Sequence, residues 1–456
     1  MGTTTELSEK IVATSYDTLT PEAIVAARRL VLDGLAIALA GTEEAAIHIL
    51  AEHFRRFGAR GDATAIGFGF RTAILWAAAL NGAAMHVLDF EPMWTPSNHA
   101  LSTTLPAILA LAETHRVTGR DIIAALVKGI EIQGWTRHSG HVYETGGARF
   151  HPPSLVGPLG AAVAAGHVLG LDATAQANAL GIAASRCGGL PANIGTMTKS
   201  THCGHAAMLG LEAAMLAARG FTGNANVFET HQGYGAVFFG DTFQPDDLLN
   251  FGPPFRIVQP GYAMKMFPSQ YGTHFAITAG LSLHAQVPDA ASVRSVTLVS
   301  PVMQYVNRPF PETGLSGKFS LQYTLARALL DGRVGIDTFT DAKVREPAIV
   351  DLLRKLTLRM DPAIPARFDQ MHVEATAELA DGRTVHTRCD GPRGIWGSPP
   401  ITEADHLVKV RDCLSRVLPE AKAEQLIALA REVDALDSDG VRELLRLAGG
   451  TESALT

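Results

Sequence analysis

Four short segments place ionisable side chains beside turn residues. The first runs from His86 to His99. His86 and Asp89 stand three apart at the end of a predicted helix and share a face. Pro92 and Pro96 then force a loop that delivers His99 just before the next helix. The second, Arg149-Phe150-His151-Pro152-Pro153-Ser154, holds His151 at a helix start. The third, Met197 to His202, sets Lys199 against a helix N-terminus, whose unpaired N–H groups already favour an anion. The fourth, Lys265 to His274, falls where a helical region hands over to a mixed one, and clefts form at such borders. His274 opens a helix there and could donate to a carboxylate or move a proton. Further on, Lys318, Gln322 and Tyr323 fall on one predicted helix, Lys318 and Gln322 on one face.

A set of Lys, His, Tyr and one Asp suits a small polyanion. It also suits proton transfer next to a carboxylate, where cations stabilise developing enolate-like charge. Other chemistries lack their signatures. The chain has no Walker loop, HExxH, GxSxG or GxGxxG, and Gly233-Tyr234-Gly235 lacks the third glycine. His202-Cys203-Gly204-His205 has no second ligand cluster at metal spacing, so neither metal nor cofactor is expected. Cys187, Cys203, Cys389 and Cys413 form no CxxC pair and read as reduced thiols.

The elements that must position these groups are mainly helices. Of 456 residues, 47% are hydrophobic and 18% charged, which excludes a disordered chain. The net charge of −7 leaves no basic footprint for nucleic acid. The polar start, Met1 to Lys10, and the lack of a long apolar run predict no secretory leader and no membrane span, hence a cytoplasmic protein. Thr20-Pro21-Glu22 opens one helix, and Gly41 is expected to close it as a left-handed cap. Further helical patterns cover 71–88, 102–115, 119–136, 155–169, 172–187 and 201–219. After about Phe267 the pattern changes. A helix over 273–285 precedes a strand over 293–300, a helix over 318–330, a strand over 356–360 and a hairpin turning at Asp381-Gly382. Three amphipathic helices follow Pro400. The resulting expectation is a mainly α protein: a discontinuous all-helical domain (1–266 and 400–456) with a smaller α+β lid domain inserted (267–399).

The same segments, with Val31-Leu32-Asp33-Gly34-Leu35-Ala36, resemble the MmgE/PrpD family over almost the whole chain, about Ser8 to Leu447. The resemblance implies a split helical domain with a lid, usually a homodimer, and decarboxylation, dehydration or epimerisation of small di- or tricarboxylates without a cofactor. Val306 to Pro311 and Phe319 to Tyr323 look closest to the family's cis-aconitate-decarboxylating branch. That likeness implies that Asp89, His99, Lys199, His274 and Tyr323 line a cleft between helical domain and lid. Lys199 and His99 would hold carboxylates, with His151 and Lys265 as further binding residues. His274 would be the proton donor or base, Tyr323 its partner from the lid, and Asp89 would orient His99 or hold it charged. The branch has acids and a threonine just after the aspartate; here Glu91 keeps one acid, and Pro92 and Met93 replace the rest.

Overall fold

The computed structural model describes residues 2–57, 61–144, 147, 149–396 and 398–450. At its centre lies the helix Pro21–Gly41, buried almost without interruption from Leu30 to Gly41. Thr20 caps it by accepting from the Ala23 N–H. Gly41 does not end this helix in the left-handed region. It is the last helical residue, and a β-carbon there would sit 2.1 Å from the Ala84 carbonyl oxygen. The glycine is needed because two helices touch backbone to backbone.

The largest apolar core joins residues from Leu19 to Ile130 with residues from Val410 to Ala448. Helices Glu403–Leu414 and Glu420–Arg431 reach it by packing on Pro21–Gly41, so the C-terminal part of the chain completes the first core. A second core is drawn almost entirely from Tyr271 to Cys389. It holds a four-stranded sheet in the order Leu356–Met360, Val293–Ser300, Val373–Leu379, Thr384–Cys389. The first pair is parallel and the other two are antiparallel. Helices Tyr271–Gln286 and Leu321–Asp331 pack on each other and on this sheet. Met93 and Ala263 are the members of this core supplied from outside the 271–389 region. Their backbones exchange two hydrogen bonds, tying the loop after Asp89 to the sheet-bearing half.

The mainly α expectation holds. Two helices join those read from the sequence, and one local reading differs. Thr3–Ala13 is a helix, because Leu7 and Ile11 bury one side of a segment that is polar on average. Ala45–Phe57 is a further helix with the same one-sided burial. The helix expected over 318–330 starts three residues later, as Leu321–Asp331 capped by Ser320, whose hydroxyl accepts from the Tyr323 N–H at 2.9 Å; a separate short helix, Gly314–Gly317, precedes it. Lys318 therefore lies in the turn before the helix that carries Gln322, and the two pair separately, with Glu44 and Asn307. No helix among the described residues is long and apolar enough to cross a membrane.

Candidate active site

Two antiparallel helices set the site's geometry. Ile74–Val87 and Thr198–Ala217 cross so closely that a β-carbon on Gly204 would meet the Ala79 carbonyl oxygen at 2.1 Å. Gly82 faces Gly204 in the same contact. The last turn of the first helix, carrying His86, thus faces the first turn of the second, carrying Lys199.

Asp89 follows the first helix with φ of 52°, in the left-handed region that Asp tolerates better than most residues. There its carboxylate meets two ammonium groups. Lys199 Nζ donates to Oδ2 at 2.7 Å, and Lys265 Nζ donates to Oδ1. Lys265 also donates to the Asp89 and Ser269 carbonyls at 2.9 and 3.0 Å, so its three protons are spent inside the protein. Lys199 donates a second proton to His86 Nε2 at 2.8 Å. The His86 proton must then lie on Nδ1, which donates to Glu91 Oε1 at 2.6 Å. Glu91 is held further by the Ser102 hydroxyl and N–H, at 2.6 and 2.8 Å. His99 stands edge-on to His86, with ring centroids 4.6 Å apart. Its Nε2 is 3.8 Å from Asp89 and its Nδ1 3.5 Å from Glu91.

Burial and charge set the protonation states. Burial favours the neutral form of Asp89, but Lys199, Lys265, His99 and His86 together hold its pKa well below the usual carboxyl range. Burial pushes Glu91 up to about 8 against the pull of Ser102. Lys265 is brought down to about 8 by burial, despite Asp89. His86, His99, His151 and His274 are all held well below their ordinary value, first by burial and then by the neighbouring lysines. Near neutral pH the four imidazoles are therefore uncharged, and the fixed cations are lysines.

A cavity of about 450 Å³ opens above this cluster, between the helical half and the sheet-bearing half. Asp89, His99, His151 and Lys199 line it. Lys265 does not; it is fully buried beneath Asp89. Two expected site residues lie elsewhere. Tyr323 is fully buried, and its hydroxyl donates to the Thr338 carbonyl at 2.6 Å, because the capped helix start turns it into the sheet-side core. His274 lies under the cluster between Phe267 and Tyr271, with Nε2 buried and unpaired; the helix start turns Gln270 and Tyr271 to the cavity in its place. Sequence reading put His86 beside Asp89 and noted Glu91 as a retained acid but gave neither a role in the site, and it had no reason to select Gln270. The short spacing from His86 to Glu91 carried a signal, since a helix end followed by a tight turn folds such groups back together. A second cavity, about 460 Å³, lies on the other side and shares Asp89, Lys199 and Phe319 with the first.

Among the described residues, His86, Glu91 and Cys203 bring possible metal-ligand atoms within 4.8 Å of one another. This differs from the His202, Cys203 and His205 grouping considered from sequence. Here His86 has committed both nitrogens, and Glu91 takes bonds on both oxygens, so the trio is closed on itself and fits a metal poorly.

The chain matches the MmgE/PrpD N-terminal domain over residues 5–246 and the MmgE/PrpD C-terminal domain over residues 267–435. It belongs to the MmgE/PrpD family, and the relatives it resembles are decarboxylases and dehydratases. A cis-aconitate decarboxylase of Mus musculus is 34% identical over 445 residues, covering 95% of this chain and 90% of that protein. One of Homo sapiens is 33% identical, covering 93% and 90%. A 2-methylcitrate dehydratase of Cupriavidus necator is 25% identical, covering 81% of each.

Proposed function

We propose that the protein is a cofactor-independent lyase that removes a group beside a carboxylate of a small di- or tricarboxylate, through a carbanion or enolate-type intermediate. Decarboxylation of a cis-aconitate-like acid is the leading reading. The carrying observation is Lys199, presented to a cavity by Asp89 and His86 with the neutral imidazole of His99 beside it. Similarity to the cis-aconitate decarboxylases along nearly the full chain supports the choice of reaction.

In this reading Lys199 binds the carboxylate that stays. The bond to the departing carboxylate breaks, and carbon dioxide leaves. The electron pair passes into the retained carboxylate, where the lysine charge stabilises it. A proton from solvent then reaches the carbon through a group at the cavity wall. Neutral His99, passing on its N–H proton and taking another at its second nitrogen, is better placed for this than His274, because it lines the cavity. Asp89 acts by fixing both lysines and His99. Dehydration shares the same stabilised carbanion with water as the leaving group, and epimerisation returns the proton to the opposite face. We further propose that the sheet-bearing half acts as a lid, and that the protein works as a homodimer.

The test is incubation with cis-aconitate, 2-methylcitrate and iminodisuccinate, each followed by NMR. Itaconate formation supports the leading reading, whereas dehydration or stereochemical scrambling moves the assignment to one of the others. Turnover undiminished by dialysis against a chelator is expected. No change in any of the three substrates contradicts the proposal.

A further inference from the structure

A pair of histidines links the cavity to the helix that carries Lys199. His151 directly precedes the helix Pro152–Val168 and lines the cavity. Its backbone N–H donates to the Gly189 carbonyl at 2.9 Å, and the residue is buried. Its Nδ1 lies 3.0 Å from Nδ1 of His202, so Nε2 is the nitrogen left to the cavity. His202 stands three residues after Lys199 on the helix Thr198–Ala217, and the two share a face. It is half-buried and outside the cavity lining. Burial, then Lys199, hold both rings below their ordinary pKa. His202 and His99 add to this at His151, where Asp89 opposes it, and His205 adds to it at His202. Both rings are therefore uncharged near neutral pH.

Two facing Nδ1 atoms at hydrogen-bond distance share one proton. If His151 carries it, His151 donates to His202, and its Nε2 is a bare acceptor. If His202 carries it, His151 accepts at Nδ1, and its own proton sits on Nε2 as a donor. The two arrangements differ at the cavity. A carboxylate only accepts, so the first repels it and the second binds it. The difference matters because Lys199 is the one lysine or arginine among the described lining residues. A carboxylate beyond its reach must be met by neutral donors, since leaving water without them is costly. His202 can supply the second arrangement: His151 is its one side-chain hydrogen-bond partner among the described residues, so no other group fixes its tautomer.

We propose that His202 is a positioning residue for substrate binding: by donating its Nδ1 proton to His151, it keeps the His151 proton on Nε2, where it holds a substrate carboxylate that Lys199 does not reach. This rests on the lyase reading above and adds a second carboxylate contact to it. Lys199 supplies the charge and His151 a neutral donor. One helix start places both, the lysine directly and the histidine through His202.

The experiment uses tricarballylate, a saturated tricarboxylate, so that binding is measured without turnover. NMR of the wild-type protein with isotope-labelled histidine reads the tautomers near neutral pH, and the signals lost in His151→Gln and His202→Asn assign the two rings. The complex is expected to show His151 protonated at Nε2 and His202 at Nδ1. In calorimetry, His202→Leu is expected to weaken tricarballylate binding about tenfold or more, the worth of a hydrogen bond to a charged group. His202→Asn, whose amide N–H can stand where Nδ1 did, is expected to recover most of the loss. Packing alone predicts neither the tautomers nor that rescue. Lys199→Met separates the two readings. Wild-type binding that is absent, or undiminished in Lys199→Met, removes the carboxylate anchor and both readings with it. Binding that needs Lys199 but is unchanged in His202→Leu overturns this inference alone, as does a complex with the His151 proton on Nδ1. The tautomer measurement is made on the wild type, so it decides the matter even if the leucine variant fails to fold.

Discussion

Three residues carry most of the electrostatic argument. Asp89 is the counter-charge for two lysines in a site nearly closed to water. Asp89→Asn keeps a residue type that accepts the left-handed backbone, so it tests charge and not conformation. Removing one partner of a buried ion pair costs roughly 3–5 kcal/mol. Denaturant unfolding is expected to show a loss in that range, shrinking as pH falls, because a depressed carboxyl pKa supplies stability that acid removes. Lys265 gives a second test. With its pKa near 8, it loses its charge as pH rises past that value, and Asp89 then keeps only Lys199. The pH profile of kcat/KM is expected to fall on an alkaline limb near 8, and a flat profile to pH 9.5 would contradict this. The acid limb belongs well below the ordinary histidine range, since all four imidazoles resist protonation. At this scale the sequence was partly legible. Asp89, His99, His151 and Lys199 could be picked as ionisable groups beside turns, and the cavity gathers all four. His274 and Tyr323 could not be placed from spacing, because which face a helix start turns to a cleft depends on its cap and its packing partners.

Helix contacts convert those residues into a site. Lys199 meets His86 because Gly82 and Gly204 let two helices touch. Gly204→Val would force the pair apart, at about 1–3 kcal/mol for overpacking. It is expected to lower both thermal midpoint and activity, since Lys199 moves with its helix; unchanged activity in the folded variant would detach the helix contact from the site. A second support comes from the C-terminal helix Glu403–Leu414. Its Lys409 pairs with buried Asp33 at 2.8 Å and donates to the Phe90 carbonyl, next to Asp89, at 2.9 Å. Lys409→Met is expected to destabilise the protein by about 3 kcal/mol, because buried Asp33 then keeps only His406, at 3.0 Å. Helix positions were legible from periodicity and caps, and the sheet strands from alternation and the Asp381-Gly382 turn. Gly41 was misread because a glycine at a helix end marks either a left-handed cap or a close approach, and only the neighbouring helix at Ala84 distinguishes them.

At the scale of the molecule, residues 19–130 and 410–448 build most of the largest core, and residues 271–389 build the core of the sheet-bearing half. The cavity lies where the two meet, which explains why its lining residues range in sequence from Asp89 to Phe368. The change of pattern near Phe267 falls four residues before the start of the second core's continuous run at Tyr271, but the neutral character of the far cavity wall was not visible in the sequence. It arises from residues such as Gln270, Met303 and Phe368, which reach one wall only through the fold. The homodimer proposed above predicts a light-scattering mass of two chains. The central claim is that bond cleavage leaves a carbanion that Lys199 stabilises until a proton arrives. Its most direct test is NMR of the decarboxylation product formed in D₂O. The account predicts one solvent deuterium at the newly protonated carbon, with formation slowed about 100-fold or more in Lys199→Ala. A product without solvent deuterium, or undiminished turnover in the variant, would contradict it.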